Sequence, residues 1–212
     1  DPGVSVVYRR RGKVLGQNTI LKEDHFPGIE REGIKQVIRG APNFRGVSNL
    51  PVYGVGMPTV DGIREVLTTI GAGSTSRNKT TCLWFNWREE PLVYINGKPF
   101  VLREDKRPFK NLKEYTNIDR NHLEDMEERL KEDVLQEASA NDGCILVALE
   151  TPSASEGVGI LEDKWEPIDV NSVQTPASIY QTLKHQGFAV EYYRVPLTDG
   201  TTPHVKSLLS GP

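Results

Sequence analysis

Residues 117–140, NIDRNHLEDMEERLKEDVLQEASA, run almost directly into CILVALE at 144–150, and this junction constrains the fold more than any other stretch of the chain. Leu123, Met126, Leu130, Val134 and Ala138 recur at three- and four-residue intervals, which puts them on one stripe of a helix with the charges on its other, solvated faces. CILVALE is a continuous apolar run of the kind found in strands buried on both faces, as inside parallel sheets. A second helix follows: Thr175 before Pro176 starts it, SIYQTLKHQ continues it and Gly187 ends it, after which FAVEYYRV at 188–195 reads as the next strand. Strand, long helix, strand, helix, strand predicts an α/β architecture with a largely parallel sheet.

The first half is broken more often. VSVVYRR at 4–10 is β-branched and aromatic and predicts a strand, and the next sixty or so residues are interrupted by Gly and Pro. TVDGIREVLTTIG at 59–71 offers Thr59 or Asp61 as an N-cap, apolar Ile63, Val66, Leu67 and Ile70 at helical spacing, and Gly71 as a stop. GAGSTS at 71–76 lacks the lysine that follows a phosphate-binding loop and reads as a flexible connection. TTCLWFNW then predicts a buried strand, and Asn96-Gly97 between two β-rich runs predicts a hairpin. The expected division is a loop-rich segment, 1–58, packing on an α/β core, 59–212.

Composition narrows the function. A net charge of −3 and a pI near 5.9 provide no basic field, so nucleic acid is not an expected partner. No apolar run approaches the roughly 18 residues that cross a bilayer. Two cysteines, Cys82 and Cys144, are too few for a disulfide framework, which fits a reducing cytoplasm, and without a signal-peptide pattern Asn78-Lys79-Thr80 reads as a chance glycosylation match. His122 and His185 read as structural, no two histidines have metal-ligand spacing, and no metal or cofactor is expected.

Cys82 and Arg88 are separated by five residues, the spacing of the phosphate loop in cysteine-dependent phosphatases. Such a loop needs backbone N–H groups curled around a thiolate at a helix N-terminus, with an arginine gripping two phosphate oxygens. Here Leu83, Trp84, Phe85, Asn86 and Trp87 intervene, three large aromatics and no glycine, so Cys82 reads as structural. Cys144 is followed by ILVAL, with no arginine in reach of the motif.

GQNTILKEDHFPG (16–28), GAPNFR (40–45), VYGVGMPTVDGIREVL (52–67), WFNWREEPLVYINGKPFVLR (84–103), RLKEDV (129–134) and YYRVPLTDGTTP (192–203) resemble, in that order, the repeat unit of paladin and related protein-tyrosine-phosphatase-like proteins. The resemblance extends more loosely to bacterial phosphatases of that fold that degrade inositol hexakisphosphate. It implies a cysteine-phosphatase-like core that is incomplete here, because the family's catalytic loop follows the PLTDGTTP stretch by a few tens of residues. It implies that Asp199 is the general acid, although TDG is also a common turn sequence. It also implies that Lys22, His25 and Arg45 help form a basic rim for a many-phosphate substrate, against local roles such as His25 capping a turn with Asp24 or Arg45 pairing with a carboxylate. Arg88, Glu89 and Glu90 are expected mainly as an ion network joining strand to hairpin.

Two functions follow from the resemblance. One is a portion of a cysteine phosphatase acting on phosphorylated inositols or phosphotyrosine, inactive as this isolated chain. The other is a pseudophosphatase module that binds a protein partner or a second repeat.

Overall fold

The computed structural model describes residues 2–24, 37–77, 79–151 and 160–198. Its main sheet has six strands in the order β8 (Ile160–Pro167), β7 (Cys144–Thr151), β1 (Thr19–Glu23), β6 (Lys98–Glu104), β5 (Leu92–Ile95) and β9 (Val173–Gln174). A second sheet pairs β4 (Cys82–Asn86) in parallel with β10 (Val190–Arg194), and a short antiparallel ladder joins β2 (Arg45–Gly46) to β3 (Tyr53–Gly54).

The α/β class expected from the sequence is the one found, and the main sheet is not wholly parallel. β1 inserts between β6 and β7, antiparallel to the first and parallel to the second. The crossover through α3 (Arg120–Ser139) therefore links strands of opposite direction, and the hairpins β5–β6 and β7–β8 are antiparallel as well. Helix-linked parallel neighbours do form where α4 (Pro176–His185) leads into β10 beside β4. Of the expected segment 1–58, residues 25–36 lie outside the described residues, 37–58 hold two-residue strands, and β1 is an interior strand of the same sheet as residues 92–174.

Alternation along β5 divides the core. Val93 and Ile95 join Leu21, Phe100 and Leu102 beneath Leu130 and Val134 of α3. Leu92 and Tyr94 face the other way, toward Ile63 and Leu67 of α2 (Val60–Thr69) and Ile179 and Leu183 of α4. The helix starts follow their capping residues: Thr59, Asp119 and Thr175 accept from the N–H groups of Gly62, His122 and Ser178. Asn96 and Gly97 both have positive φ, 50° and 77°, which is the two-residue turn that suits a twisted hairpin.

Two elements differ from expectation. The run at 4–10 lies in α1 (Pro2–Arg9) up to Arg9 and is not a strand. Val6 and Val7 both pack against the cluster of Ile20, Leu146 and Ala148, whereas successive strand residues point to opposite faces. Burying one such side chain is worth about 1.5–3 kcal/mol and outweighs a strand preference whose whole scale spans about 1 kcal/mol. β8, which the sequence pattern did not announce, is a largely exposed edge strand, ILEDKWEP, where charged residues discourage further pairing.

Candidate active site

The parallel pairing sets residues 82–86 alongside 190–194, and the tie continues beyond both strands. Val195 N–H donates to the Asn86 carbonyl at 2.9 Å and Leu197 N–H to that of Trp87 at 3.0 Å. The Thr198 hydroxyl donates to Glu89 Oε2 at 2.7 Å and accepts from Asn117 N–H at 3.3 Å. The chain is thus held residue by residue as far as Thr198. Asp199 and His25 lie outside the described residues.

Arg194, at the end of β10, secures this region from below. Its Nε donates to the Arg88 carbonyl and its Nη2 to the Glu90 carbonyl, each at 3.0 Å, and Nη2 is also 2.8 Å from Glu127 Oε1 on α3. Glu127 accepts in addition from Leu92 N–H at 3.3 Å. Both side chains are fully buried. Burial works against the Arg194 charge, but Glu127, Tyr192 and Glu124 together outweigh it and hold the guanidinium above its ordinary value. Burial pushes the Glu127 carboxyl up to about 7, against the pull of Arg194.

The REE segment makes the expected ion network. Arg88 Nη2 lies 2.5 Å from Asp24 Oδ2, and Glu90 Oε1 lies 3.0 Å from Arg103 Nη1. The network therefore joins the end of β1, the loop after β4, and β6. Glu89 departs from it and takes the Thr198 hydroxyl.

Of the expected rim residues, Lys22 and Arg45 lie among the described residues and differ in exposure. Lys22 is buried on β1, paired with Glu150 and donating to the Glu23 carbonyl, with the Phe109 ring beneath its ammonium. Arg45 is exposed on β2, where Nη1 donates to the Asn43 carbonyl at 2.8 Å.

Cys82 sits on β4 as a half-buried side chain packed against the α2–α4 cluster. Its N–H donates to the Ala189 carbonyl at 2.8 Å, and the whole span from 82 to 86 pairs with β10. The backbone there is an extended, paired strand and does not curl its amides around an anion. Burial pushes the thiol up to about 11, the opposite of what a nucleophile needs. On the other face of β4, Leu83, Phe85 and Trp87 are exposed, and Phe85 stacks with both Trp87 and Tyr193.

Arg194, Glu127, Arg103 and Thr198 were not singled out in the sequence. Glu127 did leave a trace, since it falls between Leu123 and Leu130 on the apolar stripe of α3. A carboxylate in that position must be paired or neutralised. Among the described residues no cluster of three His, Cys, Asp or Glu is placed to hold a metal ion, and no helix is long and apolar enough to cross a membrane.

The mixed sheet covered by helices is an α/β fold, with a parallel strand pair leading to the loop that precedes Asp199. The family model for PTP-like phytase, described as inositol hexakisphosphate, matches residues 85–209, and the chain belongs to that family. Two solved structures share its fold. One is the PTP-like myo-inositol phosphatase of Mitsuokella multacida in complex with myo-inositol-(1,3,4,5)-tetrakisphosphate, at 14% identity, TM-score 0.53, and coverage of 90% of this chain and 30% of that one. The other is a PTP-like phytase from Bdellovibrio bacteriovorus, at 16% identity, TM-score 0.51, and coverage of 90% and 53%.

Among curated proteins, paladin of Mus musculus is 40% identical over 60 residues, 28% of this chain and 6% of that protein. Paladin of Danio rerio is 24% identical over 161 residues, 76% of this chain and 16% of that protein. The chain thus spans a small part of the length of these relatives.

Proposed function

We propose that this chain is the portion of a cysteine-dependent phosphatase that supplies the general acid, Asp199, for hydrolysis of phosphorylated inositols, with phosphotyrosine as the second substrate class. The observation that carries this reading is the clamped run from Arg194 to Thr198: a catalytic acid needs a fixed base, and the residue next in sequence is the aspartate in question. The family match includes that position, and a relative of the same fold is known in complex with an inositol tetrakisphosphate. Arg45 is exposed and available to a polyanion, as His25 would be by its chemistry, whereas Lys22 would have to leave Glu150 to take part. Both cysteines are free, which suits a reducing cytoplasmic setting.

Taken alone, these residues supply no nucleophile. Cys82 is a raised, half-buried strand thiol, and Cys144 begins β7 with its sulfur 3.9 Å from the Asp142 carbonyl. A general acid contributes about 10²- to 10⁴-fold and cannot replace the attacking group. A second reading, a binding module without catalysis, draws on the exposed aromatic face of Leu83, Phe85, Trp87 and Tyr193.

The test is phosphate release from inositol hexakisphosphate and from a phosphotyrosine peptide, by the 212-residue chain and by the protein at its natural full length. Turnover is expected only from the latter, with inositol hexakisphosphate preferred, and it should fall in Asp199→Asn. Turnover by the 212-residue chain that disappears in Cys82→Ser would overturn the reading, and no turnover by the full-length protein would favour the binding module.

A further inference from the structure

Residues 45–53, RGVSNLPVY, form an arm in which every residue is exposed. Val47, Leu50, Val52 and Tyr53 are its large apolar members, each 47–58% exposed. Single apolar side chains scattered over a surface need no explanation, but these four share one short arm. The arm is ordered by its own bonds. Val47 N–H donates to the Val52 carbonyl at 2.9 Å and Leu50 N–H to the Val47 carbonyl at 3.3 Å, around Asn49 with a left-handed φ of 63°. At its foot the ring of buried Phe44 stacks on Tyr53, centroids 5.7 Å apart and planes 11° from parallel, and Phe44 belongs to a core cluster with Ala41 and Val66. The apolar tip is therefore presented on a preformed turn that is fixed to the core.

Charge along this part of the chain has one sign. Residues 37–60 contain Arg39 and Arg45, both exposed, and no aspartate or glutamate, although the whole chain carries 29 acidic residues against 26 Lys and Arg. Arg45 stands at the foot of the arm, opposite Gly54 in the β2–β3 ladder, and Arg39 lies in the turn that precedes it. An apolar tip with guanidinium groups behind it matches the layers of an anionic bilayer surface. Hydrocarbon takes the aliphatic side chains, the interface suits a tyrosine ring, and negatively charged headgroups attract the arginines. A soluble polyanion would engage the arginines and leave the apolar tip in water.

We propose that the 45–53 arm docks on an anionic lipid bilayer, with Val47, Leu50 and Val52 entering the interface while Arg39 and Arg45 meet the headgroups. The contact is peripheral and needs no membrane-crossing segment. One short arm and two arginines give a weak, reversible association, which holds the protein near a surface without anchoring it there. This goes beyond the phosphatase reading and does not depend on Asp199, so it is tested by binding alone.

The experiment is co-sedimentation of the protein at its natural full length with sucrose-loaded vesicles of phosphatidylcholine, alone or with about 30% phosphatidylserine, at about 0.1 M and about 0.5 M salt. Binding is expected on the anionic vesicles at the lower salt, and at least about tenfold weaker on phosphatidylcholine or at the higher salt. Arg39→Gln with Arg45→Gln should weaken it about 25-fold, roughly fivefold for each arginine. Val47→Ser with Leu50→Ser should weaken it at least about tenfold, and Leu50→Trp should keep it. All four positions are exposed, so each variant should unfold at the Tm of the unsubstituted protein, which shows that the fold is intact. No binding to the anionic vesicles overturns the proposal. Binding that survives the Val47 and Leu50 substitutions also overturns it, because charge alone would then suffice, and displacement by inositol hexakisphosphate would mark a site for a soluble polyanion. A dimer in sedimentation velocity that the same two substitutions dissolve, without vesicle binding, would assign the arm to a second copy of the chain instead.

Discussion

Arg194→Met gives the sharpest test of how the site region is held together. The substitution removes both bonds to the carbonyls of Arg88 and Glu90 and leaves Glu127 buried without its cation. In the unsubstituted protein the Glu127 carboxyl lies at about 7 against an ordinary 4.5, so the folded state holds this proton more tightly than the unfolded chain. A group shifted upward contributes stability that is complete below about 4.5 and is lost as pH rises through about 7. At about 1.4 kcal/mol per pH unit, that swing is about 3 kcal/mol.

Without Arg194 the attraction that lowers Glu127 is gone. Its carboxyl rises further, and the loss extends to higher pH. The variant should therefore be modestly destabilised at pH 5, where Glu127 is protonated in both proteins, and by up to about 1.4 kcal/mol more at pH 8, one pH unit above about 7, where only the unsubstituted protein has gained the charged form. For a chain of this size that extra loss is a further fall in Tm of about 3–6 °C at pH 8. Adding Glu127→Leu should recover most of the pH 8 loss, because an apolar pair of similar volume carries no desolvation penalty. The assay is urea denaturation followed by circular dichroism at pH 5, 6.5 and 8 at constant ionic strength. An equal loss at pH 5 and pH 8, or a double variant no better than Arg194→Met, would refute the reasoning.

Two further outcomes bear on the same region. With its thiol pushed up from 9.0 to about 11, Cys82 should carry about 10²-fold less thiolate at pH 8 than an ordinary cysteine, so iodoacetamide followed by mass spectrometry should label it slowly until denaturant is added. Gly62→Ala should destabilise the fold even though alanine favours a helix by about 1 kcal/mol, because a Cβ there would lie 2.0 Å from the Gly40 carbonyl oxygen; thermal unfolding should show a lower Tm, and a raised one would mean that this contact yields easily.

The parts of this fold that were legible in the sequence are those whose signals are local. Thr59, Thr175-Pro176 and Asn96-Gly97 specify caps and a turn within four residues of themselves, and the stripe on α3 specifies its buried face by period alone. α1 was misread because VSVVYRR has strand propensity, and what decides its conformation is a cluster contributed by β1 and β7. The place of β1 was equally hidden: five residues, TILKE, give no sign that they run antiparallel to one neighbour and parallel to the next.

The same distinction divides the site. Cys82 was read as structural from the bulk of the residues after it, which is local information, and its pairing in β4 agrees. Asp199 was picked out by resemblance. The groups that hold the chain in front of it come from distant stretches, Glu89 after β4, Asn117 before α3 and Glu127 within it, and each is an ordinary polar residue until folding brings it to Arg194 or Thr198. Glu127 alone could have been suspected, as a carboxylate on an apolar stripe, yet the stripe does not say which cation answers it. A motif can thus name the residue that would do the chemistry, while the residues that set its position become visible only when the contacts between distant segments are known.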